Sequence, residues 1–392
     1  MLKTPLTYRV VQVSRVRLNP YVRLLQTSLS AAGIPCSTVE GLSPLHVPLQ
    51  PGVANILHLH WLELLYSAPT TTRSIRRLAA VLAGLAWVKA RGGKIVYTVH
   101  NLHPHEQGEA PSTMNRVANA ALSVLADALH VHDEEARVGA AQIYGRSPRR
   151  GYGVPPDRIY VVPHGSYLGA YPNDCTRQQA RAKLGLAEGA IVYLCLGQIR
   201  RYKGIEDLIA AFKQLSAEAD NCQLVLAGHV HDAAYAEYLA ELTRGQKAVL
   251  TWFRYVEDAE LQYFMNACDV CVLPYRDITT SGAAILAFSF GKPVIAPALG
   301  GFSELLANGR GIVYDPKSGD GLLHALQEVR SGDMGSAGQQ ALAWAREHEW
   351  RALTPRFMRI YESVLGATAS VPPFGLEAGS SAVASRKGSG GT

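Results

Sequence analysis

The 392-residue chain has little cysteine and no long apolar run. Six cysteines are sparse, and the C-x-x-C pair Cys268 and Cys271 has no second pair of cysteines or histidines to complete a zinc site. The longest uncharged apolar run, residues 78–88, is shorter than the roughly 20 residues that span a bilayer. We therefore expect buried thiols, no metal and no transmembrane helix.

Three further absences narrow the class of protein. Residues 1–13 lack an apolar segment followed by a small-residue cleavage site, so we expect no secretory signal and a cytoplasmic location. No G-x-G-x-x-G follows the first predicted strand, which disfavours a dinucleotide dehydrogenase. No basic-aromatic cluster accompanies the net charge of +6, so nucleic acid is not an expected partner.

The charge is unevenly placed along the chain. Residues 1–170 contain 17 Lys and Arg against 9 Asp and Glu, whereas the remainder contains 21 against 23. This excess indicates either an anionic partner of the first half or merely a soluble basic face. Basic residues also flank the apolar run, as on an interfacial surface: Arg73, Arg76, Arg77, Lys89 and Arg91. We expect peripheral attachment to the inner face of the cell membrane.

Apolar, β-branched runs alternate with helical patterns twice along the chain, which predicts two parallel α/β sheets. Predicted strands cover residues 8–14, 55–60, 94–100, 128–132, 159–163, 191–196, 223–227, 250–255, 269–274, 293–296 and 311–314. We expect a Rossmann-like acceptor domain at 1–168, a Rossmann-like donor domain at 169–345, a helix at 346–368 that can cross back to the first domain, and a disordered tail at 369–392. Ligands of such sheets bind beyond the carboxyl ends of the strands, which favours a site between the domains.

Three strand-to-helix loops of the second half carry candidate donor-binding residues. Residues 196–204 (LGQIRRYKG) offer a close backbone approach at Gly197 and fixed positive charge for a diphosphate, or are only a solvated turn. Residues 279–284 (TTSGAA) provide free amides at a helix N-terminus, or an ordinary N-cap. Residues 300–304 (GGFSE) place an acid in a first helical turn. The candidates are Gly197, Arg200, Lys203, Thr280, Ser281, Gly282 and Glu304.

Histidines are concentrated after the strands of the first half. They include His58, His60, His130, His132 and His164, and a dense segment at residues 100–106 (HNLHPHE). No spacing singles out four metal ligands, so imidazoles that bind sugar hydroxyls and transfer protons are the better interpretation. The candidate catalytic residues are His100, His103, Glu106 and His132.

The second half resembles the C-terminal domain of GT-B glycosyltransferases of the family 4 type. The resemblance rests on five segments in the family's order: 197–204 (GQIRRYKG), 254–261 (RYVEDAEL), 267–274 (ACDVCVLP), 291–296 (GKPVIA) and 300–304 (GGFSE). Residues 154–165 are similar to the family's crossover into its second domain. The resemblance implies a GT-B fold, a nucleoside-diphosphate sugar as substrate, no cofactor and no required metal. It also implies that Lys203, with Arg200 or Gln198, binds the diphosphate, and that His100 lies near the donor sugar.

One departure from the family concerns two glutamates separated by seven residues. Counting back from Gly291, their places are Ile278 and Leu286, and neither is acidic. The family's second glutamate holds the donor ribose, a role that Glu304 could take over, and the first serves the reacting sugar. Retention or inversion therefore stays open. Inversion would need a base on the acceptor side, with Asp133 as a further candidate beside the residues above.

These observations predict a glycosyltransferase that moves a hexose from GDP-mannose or a UDP-sugar to a lipid-linked or polysaccharide-precursor glycan, as in exopolysaccharide biosynthesis. Two alternatives remain at this stage. One is a nucleotide-sugar epimerase of GT-B fold, which would release UDP without an acceptor. The other is a catalytically inactive sugar-nucleotide-binding partner, suggested by the missing glutamates.

Overall fold

Two six-stranded parallel sheets, each with helices on both faces, form the molecule in a computed structural model that describes residues 7–43, 46–102, 112–146 and 151–366. The first sheet has the order β2-β1-β3-β4-β5-β6 and the second β12-β11-β10-β7-β8-β9. The predicted α/β class and GT-B layout are thereby confirmed. No helix within the described ranges is long and apolar enough to cross a bilayer.

The elements of the first domain follow the predicted alternation. Its strands are β1 (Tyr8–Val13), β2 (Cys36–Val39), β3 (Ala54–His60), β4 (Lys94–Thr98), β5 (Ala128–Val131) and β6 (Ile159–Val161). Its helices are α1 (Tyr21–Ala31), α2 (Leu62–Tyr66), α3 (Thr71–Ala90), α4 (Ser112–Leu125) and α5 (Glu134–Tyr144).

The second domain repeats this arrangement. Helix α6 (Arg177–Leu184) precedes the strands β7 (Ile191–Leu196), β8 (Cys222–Ala227), β9 (Val249–Trp252), β10 (Val270–Val272), β11 (Val294–Pro297) and β12 (Gly311–Tyr314). Between and after them lie α7 (Ile205–Glu218), α8 (Ala233–Thr243), α9 (Leu261–Ala267), α10 (Gly282–Ser289), α11 (Phe302–Leu305), α12 (Gly321–Glu328), α13 (Met334–Glu347) and α14 (Trp350–Val364).

The sequence has one continuous helical pattern over residues 335–364, but the structure forms two helices there, and they have different partners. Helix α13 packs on the second domain, whereas α14 packs on the first sheet through Trp350, Phe357 and Tyr361. The break falls at Glu349, whose backbone is extended, and the Trp350 indole then donates to the Ser166 carbonyl at 2.9 Å. Helix α14 thus ties the chain's end to the first domain.

Three other sequence expectations differ from the structure. Strand β2 is absent from the predicted set because it is a four-residue edge strand in which no residue is fully buried. Asn19 and Pro20 predict a helix that begins at Pro20, but α1 begins at Tyr21, whose amide donates to the Asn19 side chain. The apolar run at 78–88 lies within α3, which turns Leu78, Leu85 and Val88 into the core and leaves the alanines between them exposed. The large apolar side chains of this run thus pack in or against the core of the first domain.

The predicted tail at 369–392, like His103 and Glu106, lies outside the described residues. All four cysteines in the apolar runs, Cys195, Cys222, Cys268 and Cys271, are buried free thiols. Within the described ranges no group of His, Cys, Asp and Glu is arranged to hold a metal ion.

Candidate active site

The carboxyl ends of the first sheet's strands bring six of the histidines into one buried layer. The register pairs His60 with Thr98 and Thr98 with His130, so the strands β3, β4 and β5 end side by side. His58, His60, His100, His130, His132 and His164 are all buried. Burial lowers the pKa of each imidazole, and nearby histidines lower most of them further. The layer is therefore neutral at pH 7.

One chain of hydrogen bonds in this layer has a fixed direction. The Val162 carbonyl only accepts, so His130 donates to it from Nε2 at 2.9 Å. The Nδ1 of a neutral His130 must then accept from Thr98 Oγ1 at 2.9 Å. Thr98 accepts in turn from His58 Nε2 at 2.7 Å, and His58 Nδ1 accepts from the Tyr361 hydroxyl at 2.8 Å. This series of hydrogen bonds joins α14 to the first sheet.

The second chain contains the histidine that was predicted to lie near the donor sugar. His132 donates from Nδ1 to the same carbonyl at 3.4 Å, so its Nε2 accepts from His100 Nδ1, also at 3.4 Å. His100 Nε2 then accepts from His60 Nδ1 at 3.1 Å. Both ring nitrogens of His100 are thereby engaged, and the Trp61 indole stacks on its ring at 3.6 Å. His100 presents little free polar surface to a ligand.

Two aromatic residues that sequence reasoning missed organise this layer. The buried ring of Tyr21 makes edge contacts with His100 and His164 at 4.9 Å and with Trp350 at 4.8 Å. Trp61 has a left-handed backbone with φ of 45°, which is unusual for a bulky residue and turns its indole onto His100. In the sequence, the only indication of this role was the position of Trp61 directly after His60 at the end of β3.

The loop after β7 places a cation at the edge of the second sheet, as predicted. Gly197 has φ of +124°, and a methyl group there would lie 3.4 Å from Lys203 Nζ. This ammonium group lies 5.1 Å from the centroid of the Tyr275 ring. Burial, with a contribution from Arg200, lowers the Lys203 pKa to about 8. Arg200 donates to Gln198 Oε1 at 3.2 and 3.3 Å, so the two residues proposed as partners of Lys203 contact each other.

The start of α10 faces the first domain. Ser281 caps the helix by accepting from the Ala284 amide at 3.3 Å. A methyl group on Gly282 would lie 3.3 Å from the Tyr167 hydroxyl and 4.0 Å from Asn19 Nδ2. The Tyr167 hydroxyl donates to Asn19 Oδ1 at 3.1 Å, which leaves the Asn19 amide group directed toward the helix start. Sequence reasoning missed this role of Asn19, which has no local signal.

Two contacts cross the cleft beside α10. The Leu102 amide donates to Thr279 Oγ1 at 3.1 Å, and Thr280 donates to Asp133 Oδ2 at 3.4 Å. Asp133 also caps α5 by accepting from the Ala136 amide through Oδ1 at 2.7 Å. Burial raises the Asp133 pKa to about 6, and the negative charge of Glu304 adds to the rise. This carboxyl group thus titrates near neutral pH.

A cavity of about 130 Å³ lies between the domains, next to the start of α10 and Asp133, and Lys203 and His100 are not among the residues that line it. Its polar lining includes His132, Asp133, His164, Thr280, Glu304 and Arg310. Ile278 also lines it, at the place where the family has its first glutamate, and Leu286 occupies the place of the second. Both side chains pack against the core of the second domain. Acids therefore reach the cavity from Asp133 and Glu304 instead.

Known proteins share this architecture. Residues 176–340 match the family model for glycosyl transferases group 1. A GDP-mannose:glycolipid 4-beta-D-mannosyltransferase of Xanthomonas campestris pv. campestris is 25% identical over 317 residues, which cover 80% of each chain. A D-inositol 3-phosphate glycosyltransferase of Thermomonospora curvata is 28% identical over 396 residues, covering 92% of this chain and 83% of that one.

Solved structures agree on the fold. A sucrose-phosphate synthase from Thermosynechococcus elongatus superposes with a TM-score of 0.66 at 21% identity, covering 92% of this chain and 100% of that one. A glycosyltransferase from Rickettsia africae gives 0.65 at 14% identity, with 92% and 100% covered. The chain is therefore a glycosyltransferase of GT-B architecture, and its residues 176–340 match glycosyl transferases group 1.

Proposed function

We propose that this glycosyltransferase moves a mannosyl residue from GDP-mannose to a hydroxyl group of a lipid-linked glycan, with inversion at the anomeric carbon. The name of the Xanthomonas relative, a GDP-mannose:glycolipid 4-beta-D-mannosyltransferase, supports the donor and the acceptor class. The mannose of GDP-mannose is α-linked, so a β-linked product requires inversion. The observation that carries the mechanism is the Asp133 carboxylate, which faces the second domain in a cleft whose usual glutamate places hold Ile278 and Leu286.

Lys203 and the start of α10 are the proposed diphosphate site. The Lys203 ammonium, Arg200 and the free amides of the first turn at Ser281 and Gly282 would stabilise the negative charge that develops on the leaving GDP. Anion binding would restore the Lys203 pKa toward its ordinary value, because the bound phosphates replace the lost hydration. Glu304 remains our candidate for the ribose hydroxyls.

Asp133 is the proposed general base. The acceptor oxygen attacks the anomeric carbon while its proton passes to Asp133 Oδ2, and the bond from carbon to the β-phosphate oxygen breaks with its electron pair going to GDP. A pKa near 6 leaves the carboxyl group ionised at neutral pH yet basic enough to take the proton. His100 and His132 suit this step less well because their ring nitrogens contact other residues of the histidine layer.

The proposed place of action is the inner face of the cell membrane, where the first domain would meet the lipid-linked acceptor of a polysaccharide precursor. The exposed start of α3 supports this proposal, with Ile75 at 55% exposure between Arg73 and Arg76. Sedimentation with vesicles containing phosphatidylglycerol at low salt tests it. If such vesicles failed to retain the protein, the proposed membrane attachment would be wrong. The proposed transferase reaction does not depend on this result.

A donor panel tests the proposed reaction. Purified protein is incubated with GDP-mannose, GDP-glucose, UDP-glucose or UDP-galactose, with and without a lipid-diphosphate glycan, and thermal stability and nucleotide release are followed. We expect stabilisation by GDP-mannose, and GDP release only with acceptor. The anomeric coupling constant of the product, read by NMR, must correspond to a β-mannoside. Release of UDP without acceptor would support the epimerase instead, and donor binding without turnover the inactive partner.

A further inference from the structure

A second cavity, of about 500 Å³, lies at the outer edge of the first sheet, away from the donor loops. It opens between the loops that follow β1 and β2 and the first half of α3. The polar residues around it are Arg15, Glu40, Ser43, His46 and Arg77. Nothing in the proposed donor chemistry uses any of these residues.

Backbone carbonyls hold both guanidinium groups of this cavity in place. Arg15 donates from Nε to the Glu40 carbonyl at 3.0 Å and from Nη1 to the Leu64 carbonyl at 3.3 Å. Arg77 donates from Nη1 to the Ser67 carbonyl at 2.6 Å. Throughout the described part of the chain, the Nη2 group of neither arginine has an acceptor or a carboxylate partner. Two oriented donor groups therefore remain for a ligand.

The charge around the cavity favours an anion. Glu40 contributes the one carboxylate among the lining residues, and Arg17 already pairs with it at 2.8 Å. Burial lowers the pKa of the Arg15 guanidinium, and the positive charge of Arg77 lowers it further, while Glu40 acts in the opposite direction. The two guanidinium groups thus repel each other, and a dianion between them would relieve that repulsion.

We propose that Arg15 and Arg77 form a diphosphate-binding subsite, distinct from the donor site. That the diphosphate belongs to the lipid-linked acceptor rests on the proposed function, because such an acceptor carries this group next to its lipid. Guanidinium forks match phosphate oxygens in geometry and charge, and two of them bind one diphosphate better than scattered surface charge does.

Helix α2 connects the subsite to the cleft. Its Leu64 carbonyl accepts a hydrogen bond from Arg15, and its Leu65 side chain lines the cavity. Trp61, just before the helix, stacks on His100. From Trp61 to Leu65 the helix rises by only about 6 Å. A glycan acceptor could therefore hold its diphosphate at Arg15 and Arg77 while its sugar end reaches the cleft. The exposed side chain of Leu18, in the loop after β1, offers apolar surface for the adjoining lipid.

Inorganic pyrophosphate is the probe that tests the subsite. Binding is measured by calorimetry in the Lys203→Ala background, so that the donor site does not contribute. We expect one binding event, weakened about tenfold or more by Arg77→Gln and by Arg15→Gln. Arg116→Gln, an exposed change of equal charge on α4, should leave binding unchanged. The Arg77 variant decides the result, since Arg15 also joins β1 to α2.

Equal weakening by Arg77→Gln and Arg116→Gln, or no binding in the Lys203→Ala background, would overturn the proposal. This readout needs no turnover, so a failed donor panel would not affect it. The origin of the diphosphate is decided by vesicles containing phosphatidylglycerol. If Arg77→Gln weakens pyrophosphate binding and leaves vesicle binding intact, the acceptor diphosphate is the ligand. If it abolishes vesicle binding as well, the same guanidinium groups bind a lipid headgroup phosphate.

Discussion

The Asp133 carboxylate lies against Gly301 across the cleft, so close that a methyl group at residue 301 would lie 2.5 Å from Oδ2. The carboxylate has little freedom to move away, because its other oxygen caps α5. The two domains can therefore approach to this distance only while residue 301 is glycine. This contact brings the proposed base against the loop that follows β11.

The substitution Gly301→Ala is expected to hold the domains slightly apart. A displacement of about 1 Å at a reacting pair can reduce the rate roughly a hundredfold, so we expect kcat/KM to fall by about that factor. The melting temperature should change little, because each domain keeps its own core. Gly319→Ala is the matched control, since no atom lies within 4 Å of a methyl group there. Equal activity of the two variants would show that the contact does not limit catalysis.

The substitution Asp133→Asn removes the proposed base and keeps the helix cap, because asparagine caps helices as well as aspartate does. We expect the rate of transfer to fall by roughly 10² to 10⁴, with donor binding preserved. In the wild type, kcat should rise as the pH increases through about 6, since the carboxyl group must lose its proton to act. Rates measured from pH 5 to 8 in both proteins test this.

The nearby acid Glu135 provides a control for that pH profile. Glu135 is exposed on α5, and its charge contributes to the raised pKa of Asp133. Glu135→Gln should therefore keep the activity and move the rise of kcat with pH slightly toward lower pH. An Asp133→Asn variant that retained both the rate of transfer and the increase of kcat near pH 6 would rule out Asp133 as the base.

The fold was largely predictable because buried parallel strands are apolar over their whole length. β7 (IVYLCL) is an uninterrupted apolar run and β8 (CQLVLA) is broken only by Gln223, and the turn after β7 places Gly197 and Lys203 where the sequence predicts. β2 was missed because its residues Cys36–Val39 are short, mixed in polarity and half-buried. Local pattern thus predicts a strand only when both of its faces are covered.

The site was predictable only within each domain. Ser281 caps α10 as the strand-to-helix pattern indicates, because this depends on neighbouring residues alone. The contact of Asp133 with Gly301 depends on how the two domains dock, and both this contact and that of Asn19 with Tyr167 join residues more than 140 positions apart. His100 was predicted to face the donor sugar, and its stacking on Trp61 follows from a left-handed turn that no residue type encodes.

Lys203 gives a third prediction, on donor binding. Because burial lowers its pKa to about 8, the side chain is charged below that pH and becomes neutral above it. The affinity for a GDP-sugar should therefore fall as the pH rises through 8, and binding above pH 8 should be accompanied by proton uptake. Calorimetry in two buffers of different ionisation enthalpy measures that uptake.

In the same experiment, Lys203→Ala should abolish both the proton uptake and the thermal stabilisation by donor. Lys317→Ala, a change of equal charge at an exposed position of the second domain, should alter neither. Full donor stabilisation of the Lys203→Ala protein would place the diphosphate elsewhere.

The histidine layer gives a fourth prediction, on stability against pH. His130 and His164 have pKa values lowered to about 4 and His60 to about 3 by burial, whereas in the unfolded chain they titrate near 6.5. Above pH 6.5 both states are neutral and the layer is fully stabilising. Below it the unfolded chain binds protons that the folded one does not, so the free energy of unfolding falls as the pH drops from about 6.5 toward 4.

Each such histidine removes up to about 1.4 kcal/mol of unfolding free energy per pH unit in that window. Urea unfolding at pH 7.5, 6.5, 6.0 and 5.5 should therefore give a nearly constant value above 6.5 and a steep loss below it. His324→Gln, at an exposed position of α12, should leave the slope unchanged. The slope measures the number of protons taken up on unfolding. A flat profile down to pH 5.5 would therefore mean that the histidine layer is already protonated in the folded protein. In that case the directions assigned to its two series of hydrogen bonds are wrong.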